Sequence, residues 1–342
     1  MSYKVVIEPS GLVMSVEDGE SILDAALRCG INLPYGCRNA VCGACKGELV
    51  EGQIDYGDFK PAGLNADERS QGMALFCRAM PRSDLRIHSP HVSSAASLEI
   101  HTLTASVARL DRLADDVMRI YLCLADDQRL PFYAGQYIDI LLKDGRRRSF
   151  SLANPPHDDE FLELHVRLVD KGEFSQHVFH TMRENEQLTI EGPFGTFYLR
   201  ENSTRPLIMV AGGTGFGPIK AVIEHAMAEG ISRPVYLYWG ARARRDLYLN
   251  SLAETWETKL NLQYRPVLSA ARADDNWSGR QGFVHEAVVN DFAELSGYDV
   301  YVCGPPVMVN AARAAFIRQG LPDERFFADS FEFANDTVGR KT

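Results

Sequence analysis

The chain has 342 residues, 45% of them hydrophobic and 24% charged, with a formal net charge of -10; it is long enough for two or three globular domains. The negative balance argues against a nucleic-acid surface, which needs basic groups facing phosphates. The opening MSYKVVIEPSGLVMSV lacks a basic run before an apolar core, and no stretch approaches the roughly 18 apolar residues of a membrane span, so a cytoplasmic protein is expected.

In chain order, residues 3–7 and 12–16 read as a hairpin turning through 8–11. Ser21 with Asp24 three positions later resembles a capping box, and Gly30 stands where the helix C-cap belongs. Four of the seven cysteines fall between Cys37 and Cys77. Residues 89–97 (SPHVSSAAS) read as a linker. From about residue 100 to 200 come short strand-like runs, VMRIYLCL, QYIDILL, RSFSLA, LELHVRLV and QLTIEGPFG, with one helix near 175–182. Gly, Pro and Asp break them as in an antiparallel barrel. The last third alternates strands (the apolar PLIMVAG and PVYLYWG, then LQYRPVL and YDVYVCG) with helices, the pattern of a doubly wound parallel sheet. The expected division is 1–92, 100–202 and 203–342, a multidomain α+β and α/β chain.

Cysteines without an export signal favour metal ligands or core residues over disulfides. Cys37, Cys42 and Cys45 make C-x4-C-x2-C, and Cys77 supplies a distant fourth thiol, the plant-type ferredoxin spacing for a 2Fe–2S cluster. Structural zinc more often repeats two separated pairs, whereas here three thiols share one loop. Gly36, Gly43 and Ala44 let that loop wrap closely. PYGCRNAVCGACKGELVEG and LFCRAMPRSDLRI resemble the cluster loop and fourth-cysteine segment of plant-type ferredoxins, which implies a β-grasp domain. Cys29 and Cys123 lie outside the pattern and are expected in the core.

Arg148-Ser149-Phe150-Ser151 gains meaning beside Gly172-x-x-Ser175, which includes Phe174 and opens a predicted helix. A helix N-terminus and a guanidinium could together hold a pyrophosphate. The pair resembles the R-x-(Y/F)-S and G-x-x-S motifs of the ferredoxin-NADP reductase superfamily. That resemblance implies that Arg148 binds flavin phosphate, that Phe150 packs on the flavin, and that Ser151 hydrogen-bonds near N5. It also places His165, Val166 and Arg167 along the flavin's edge. FAD rather than FMN follows from the branch with an N-terminal ferredoxin, not from the motif.

MVAGGTGFGPIK joins a strand to a helix through Gly212, Gly213, Thr214, Gly215 and Gly217, a turn where backbone can approach a pyrophosphate. It resembles the same superfamily's nucleotide loop, and YVCGPPVM resembles its C-G-P-x-x-M motif. This implies Cys303 near nicotinamide C4, with Gly304 and Pro305 shaping the pocket and Phe331 of FFADSFEF against the flavin face. Without the family, Cys303 reads as a buried strand-end thiol. Arg242, Arg244 and Arg245, with no acid before Asp246, keep NADPH open; the similarity of GARARRDLY to oxygenase reductases favours NADH.

The whole chain is similar to oxygenase reductases that carry their own ferredoxin. The resemblance implies electron flow from NADH to FAD to a 2Fe–2S cluster and on to a partner, an oxygenase component first. The alternatives are a reductase for a deoxysugar dehydrase and a redox-sensing relay subunit with little turnover.

Overall fold

In the computed structural model, which describes residues 2–89, 92 and 98–331, the chain divides into two units, Met1–Leu98 and Glu99–Thr342. The linker expected over 89–97 lies largely outside the described residues.

The first unit starts from period-two patterning. β1 (Ser2–Glu8) and β2 (Leu12–Glu17) pair antiparallel with Ile7 opposite Leu12, burying Val5, Ile7, Met14 and Val16 on one face. α1 (Ile22–Arg28) begins where the Ser21 hydroxyl accepts the Asp24 N–H at 3.1 Å, and it buries Ile22, Leu23, Ala25 and Ala26. β3 (Lys46–Glu51), β4 (Ile54–Asp55), α2 (Ala66–Ser70), β5 (Met73–Leu75), β6 (Met80–Pro81) and β7 (Leu85–His88) follow. The sheet order is β2-β1-β7-β3-β5, with β1 and β7 parallel and the other pairs antiparallel, while β4 and β6 form a separate ribbon. This is the expected β-grasp arrangement. Cys29 corrects an expectation: it caps α1 and is exposed, and Cys123 is only half-buried. Each ends an element whose last side chain faces outward.

The second unit begins with β8 (His101–Ala114), β9 (Val117–Cys123), β10 (Tyr137–Leu141), β11 (Arg147–Ser151), β12 (Leu162–Arg167), α3 (Glu173–His180) and β13 (Gln187–Phe194). They form an antiparallel sheet in the order β11-β10-β13-β8-β9-β12. A Leu152–Leu164 bridge joins its two edges and closes a barrel around Ile120, Ile138, Ile140, Leu164, Val166 and Ile190.

β14 (Leu207–Gly212), α4 (Phe216–Ala228), β15 (Val235–Ala241), α5 (Asn250–Trp256), β16 (Leu262–Leu268), β17 (Arg280–Gln281), α6 (Val284–Asp291), β18 (Asp299–Gly304), α7 (Pro306–Arg318) and β19 (Phe326–Ser330) complete the unit. Every strand pair here is parallel, in the order β17-β16-β15-β14-β18-β19. Because both faces are covered, the central strands β14 and β18 are buried along their whole length. One face packs on α4 and α5 through Phe216, Val222 and Trp256, the other on α6 and α7 through Val288, Ala312 and Phe316. Strand order reverses between β14 and β18, so Gly212 and Gly304 end side by side at the switch point, where such sheets bind ligands. Among the described residues no helix is long and apolar enough to cross a membrane.

Candidate functional site

In the first unit, Cys37, Cys42 and Cys45 lie between α1 and β3, and Cys77 follows β5. The N–H groups of Ile22 and Leu23 donate to the carbonyls of Ala79 and Phe76 at 3.0 Å, tying the Cys77 segment to α1. Arg38, Ala40 and Gly43 take φ of 55°, 53° and 75°, and these left-handed turns swing backbone N–H groups toward sulfur. Ala40 donates to Cys77 Sγ at 3.2 Å and Asn39 to Cys37 Sγ at 3.4 Å, while Cys37 and Cys42 each donate to the other's sulfur at 3.5 Å.

The thiols fall into two pairs. A hydrogen bond from Cys42 holds Cys37 down to about 6, and the same bond, with burial, pushes Cys42 up; the hydrogen bond with Cys77, again with burial, pushes Cys45 up. Among the described residues no three His, Cys, Asp or Glu side chains converge as a single-ion site. Four thiols, three of them in one loop, with N–H groups aimed at sulfur, fit a 2Fe–2S cluster better than one zinc ion.

In the barrel, Arg148 and Phe150 share one face of β11, and Ser149 and Ser151 the other. Arg148 Nη1 donates to the Arg147 carbonyl at 2.9 Å. An ion pair between Arg146 and Glu173 sets the start of β11 beside the start of α3. Gly172, the N-cap of α3, makes no side-chain cap bond. The Ser175 hydroxyl accepts the Val169 N–H at 3.0 Å and donates to the Gly172 carbonyl at 2.9 Å, so it shapes the turn and leaves the helix's first N–H groups for an anion. That cradle fits a flavin phosphate. The other candidates here face protein: Ser149 donates to buried Asp139 at 2.5 Å, Phe150 meets Phe174 at 5.3 Å, and Val166 and Phe174 lie in the barrel core. Both ring nitrogens of His165 are engaged, by Tyr248 at 3.0 Å and Glu163 at 2.8 Å.

The glycine turn between β14 and α4 is built by close packing. A Cβ on Gly212 would stand 2.5 Å from Met308 Sδ, and one on Gly215 2.2 Å from the Cys303 carbonyl oxygen. Gly213, at φ 55°, faces the Arg167 guanidinium, whose Nη2 is buried without a hydrogen-bond partner. An orphaned buried cation donor beside a glycine turn fits the nucleotide's pyrophosphate. Thr214 is half-buried on the same turn.

Parallel pairing of β18 with β19 sets Cys303 opposite Asp329 and Gly304 opposite Ser330. Asp329 Oδ2 accepts the Ser151 hydroxyl at 3.0 Å and lies 3.9 Å from Cys303 Sγ. Burial, reinforced by the Asp329 carboxylate, pushes the Cys303 thiol well up, so it stays neutral. The Phe331 N–H donates to the Gly304 carbonyl at 2.9 Å, and Pro305 precedes α7. One cleft thus gathers Ser151, Cys303, Asp329 and the backbone of Phe331. Sequence reading missed Asp329; an acid set between the aromatic residues of FFADSF is the signal that could have found it.

At the edge of the sheet, Arg242 is exposed and its carbonyl accepts the Ala270 N–H at 2.9 Å. The Asp275 carboxylate accepts the N–H groups of Arg244 at 3.3 Å and Arg272 at 2.8 Å. Beside it opens a cavity of about 490 Å³ lined by Arg272, Asn276, Trp277 and Gln281.

Three family models match the chain: a 2Fe-2S iron-sulfur cluster binding domain over residues 5–82, an oxidoreductase FAD-binding domain over 104–198 and an oxidoreductase NAD-binding domain over 209–314. A CDP-6-deoxy-L-threo-D-glycero-4-hexulose-3-dehydrase reductase of Yersinia pestis is 36% identical over 332 residues, covering 97% of this chain and 99% of the relative. The reductase component DmpP of phenol 2-monooxygenase from Pseudomonas sp. (strain CF600) is 36% identical, covering 100% and 98%. Among solved structures, the Amycolatopsis cytochrome P450 reductase GcoB superposes with a TM-score of 0.79 at 34% identity, covering 96% and 98%.

Proposed function

Because the chain belongs to the ferredoxin-NADP reductase superfamily, in the group whose reductases carry their own N-terminal ferredoxin domain, we propose that its electron acceptor is an oxygenase component. The chain is an NAD(P)H oxidoreductase that passes electrons from NAD(P)H through FAD and a 2Fe–2S cluster to an electron-accepting partner. The carrying observation for the oxygenase is end-to-end similarity to the phenol 2-monooxygenase reductase component.

FAD, when bound, takes electrons in pairs as hydride and releases them singly, which suits a one-electron cluster. Around it the protein's own groups divide the work. Cys37, Cys42, Cys45 and Cys77 ligate the cluster. Arg148 and the first turn of α3 at Gly172 hold the flavin phosphates, and Arg167 with the Gly213 turn holds the nucleotide pyrophosphate. Ser151, oriented by Asp329, borders the flavin; Cys303, Gly304, Pro305 and Phe331 border the nicotinamide. The neutral thiol of Cys303 adds no charge to that pocket.

Mixing the purified protein and NADH with the oxygenase component of a phenol hydroxylase should couple NADH oxidation to substrate-dependent oxygen uptake. The similarity to the Yersinia reductase favours a second reading, a hexulose dehydrase as acceptor. Turnover with that dehydrase and none with the oxygenase would reverse the assignment.

We assign NADH as the preferred nucleotide. Asp275 accepts the backbone N–H groups of Arg244 and Arg272 beside the edge cavity, and a carboxylate there would disfavour a 2′-phosphate bound at that edge. The ratio of kcat/KM for NADH over NADPH should exceed one clearly in the native protein and fall in Asp275→Asn; a native preference for NADPH contradicts the assignment.

A further inference from the structure

A chain of buried polar groups runs between the barrel and the nucleotide-binding sheet of the second unit. Lys220, on α4, donates from Nζ to Glu163 Oε2 and the Ala153 carbonyl at 3.0 Å and to Glu224 Oε2 at 2.9 Å, using all three ammonium donors. Glu163, on β12, accepts His165 Nε2 through Oε1 at 2.8 Å, and His165 Nδ1 meets the Tyr248 hydroxyl at 3.0 Å. The side chains of His165, Glu163 and Lys220 are 2%, 7% and 8% exposed. Burial keeps His165 from charging. Burial also disfavours ionised Glu163, but the hydrogen bond from His165 and the charge of Lys220 outweigh it and hold that carboxyl below the usual range. His165 therefore donates from Nε2 to the carboxylate, and its bare Nδ1 accepts from Tyr248.

Beyond Tyr248 the chain continues by ring contact. Tyr248 stands edge-on to Trp239 at 5.2 Å and 87°, and Trp239 Nε1 donates to the Gly213 carbonyl at 3.0 Å. Gly217, at the start of α4, fits against His165: a Cβ there would lie 3.3 Å from Nδ1. Apolar packing between two layers is non-directional and tolerates sliding. A buried ion pair with every donor satisfied has one register, since any slip strands a charge. The barrel supplies Ser151 to the cleft, and the sheet supplies Cys303, Asp329 and the Gly213 turn.

We propose that Glu163, His165 and Tyr248, anchored by Lys220, are positioning residues that fix the register of the barrel against the nucleotide-binding sheet and, through Trp239, the place of the Gly213 turn, so that hydride transfer is aligned. This rests on the flavin-and-nicotinamide reading above. In the transfer, the C4–H bond of the dihydronicotinamide breaks and its hydrogen passes with both electrons to the flavin, leaving oxidised nicotinamide; the positioning residues neither gain nor lose a proton. A misplacement of about 1 Å can cost on the order of 100-fold in such a step.

The test uses the holoenzyme with Tyr248→Phe, Glu163→Gln and the double variant. Stopped-flow flavin bleaching by NADH gives the limiting rate and half-saturation, and hydrogen–deuterium exchange follows residues 212–216 without nucleotide. Each single variant should lower the limiting rate about tenfold, leave half-saturation within about twofold, and speed exchange at the Gly213 turn. The double variant should be no slower than the slower single one, because both lie on one chain. A wild-type rate and wild-type exchange in Tyr248→Phe overturn the proposal even where Glu163→Gln fails to fold, and so do losses that multiply in the double variant. If NADH fails to bleach the wild-type flavin, the underlying reading falls and takes the proposal with it.

Discussion

Asp329 carries more of the cleft than any residue singled out by motif. Its carboxylate is one of few charged groups buried in the second unit, and it meets Ser151 from the barrel and Cys303 from the neighbouring strand. Asp329→Asn keeps the shape but removes the charge, and a charge-assisted hydrogen bond contributes about 1.5–3 kcal/mol. Stopped-flow reduction by NADH should slow about tenfold or more, with the flavin content unchanged; an unaltered rate would show that Ser151 needs no orienting acid. The cysteines were legible because three of the four share one loop, and spacing alone encodes their geometry. Asp329, Glu163 and Lys220 were not. Glu163 in LELHVR reads as an outward strand residue and Lys220 in GPIKAV as a solvated helix face, and only tertiary packing brings them within 3.0 Å.

Elements with a clean period were legible: the β1–β2 hairpin, α1 with its Ser21 cap, and the apolar strands β14, β15, β16 and β18. β8 was not, because of its 14 residues only Ala105 and Val107 are fully buried, so HTLTASVARLDRLA shows no sustained alternation. The glycine turn after β14 was located from its position, yet the reasons for two of its glycines are the neighbouring Met308 and the Cys303 carbonyl. A comparable constraint acts in the first unit. A Cβ on Gly47 of β3 would stand 2.3 Å from the Phe76 ring and 2.9 Å from the His88 carbonyl oxygen, next to Cys77. Gly47→Ala should overpack that contact at a cost of about 1–3 kcal/mol. On heating, cluster absorbance should then disappear at a lower temperature than in the native protein while flavin release is unmoved; equal cluster loss in both proteins would mean that β3 shifts freely.

At the scale of the whole molecule, the two units hold different parts of one redox series. Met1–Leu98 has its own core, with Val5, Ile7, Ile22 and Ile87 fully buried, and Glu99–Thr342 joins a closed barrel to a doubly wound sheet. On the proposed path, hydride entry uses only the second unit and one-electron exit uses the thiols of the first. The two can therefore be separated by removing a single sulfur. The decisive measurement compares Cys42→Ser with the native protein for NADH-driven reduction of ferricyanide, which the flavin can serve directly, and of cytochrome c, which draws on the cluster. A series path predicts ferricyanide reduction near the native rate with cytochrome c reduction at background; cytochrome c reduction persisting at the native rate would contradict it.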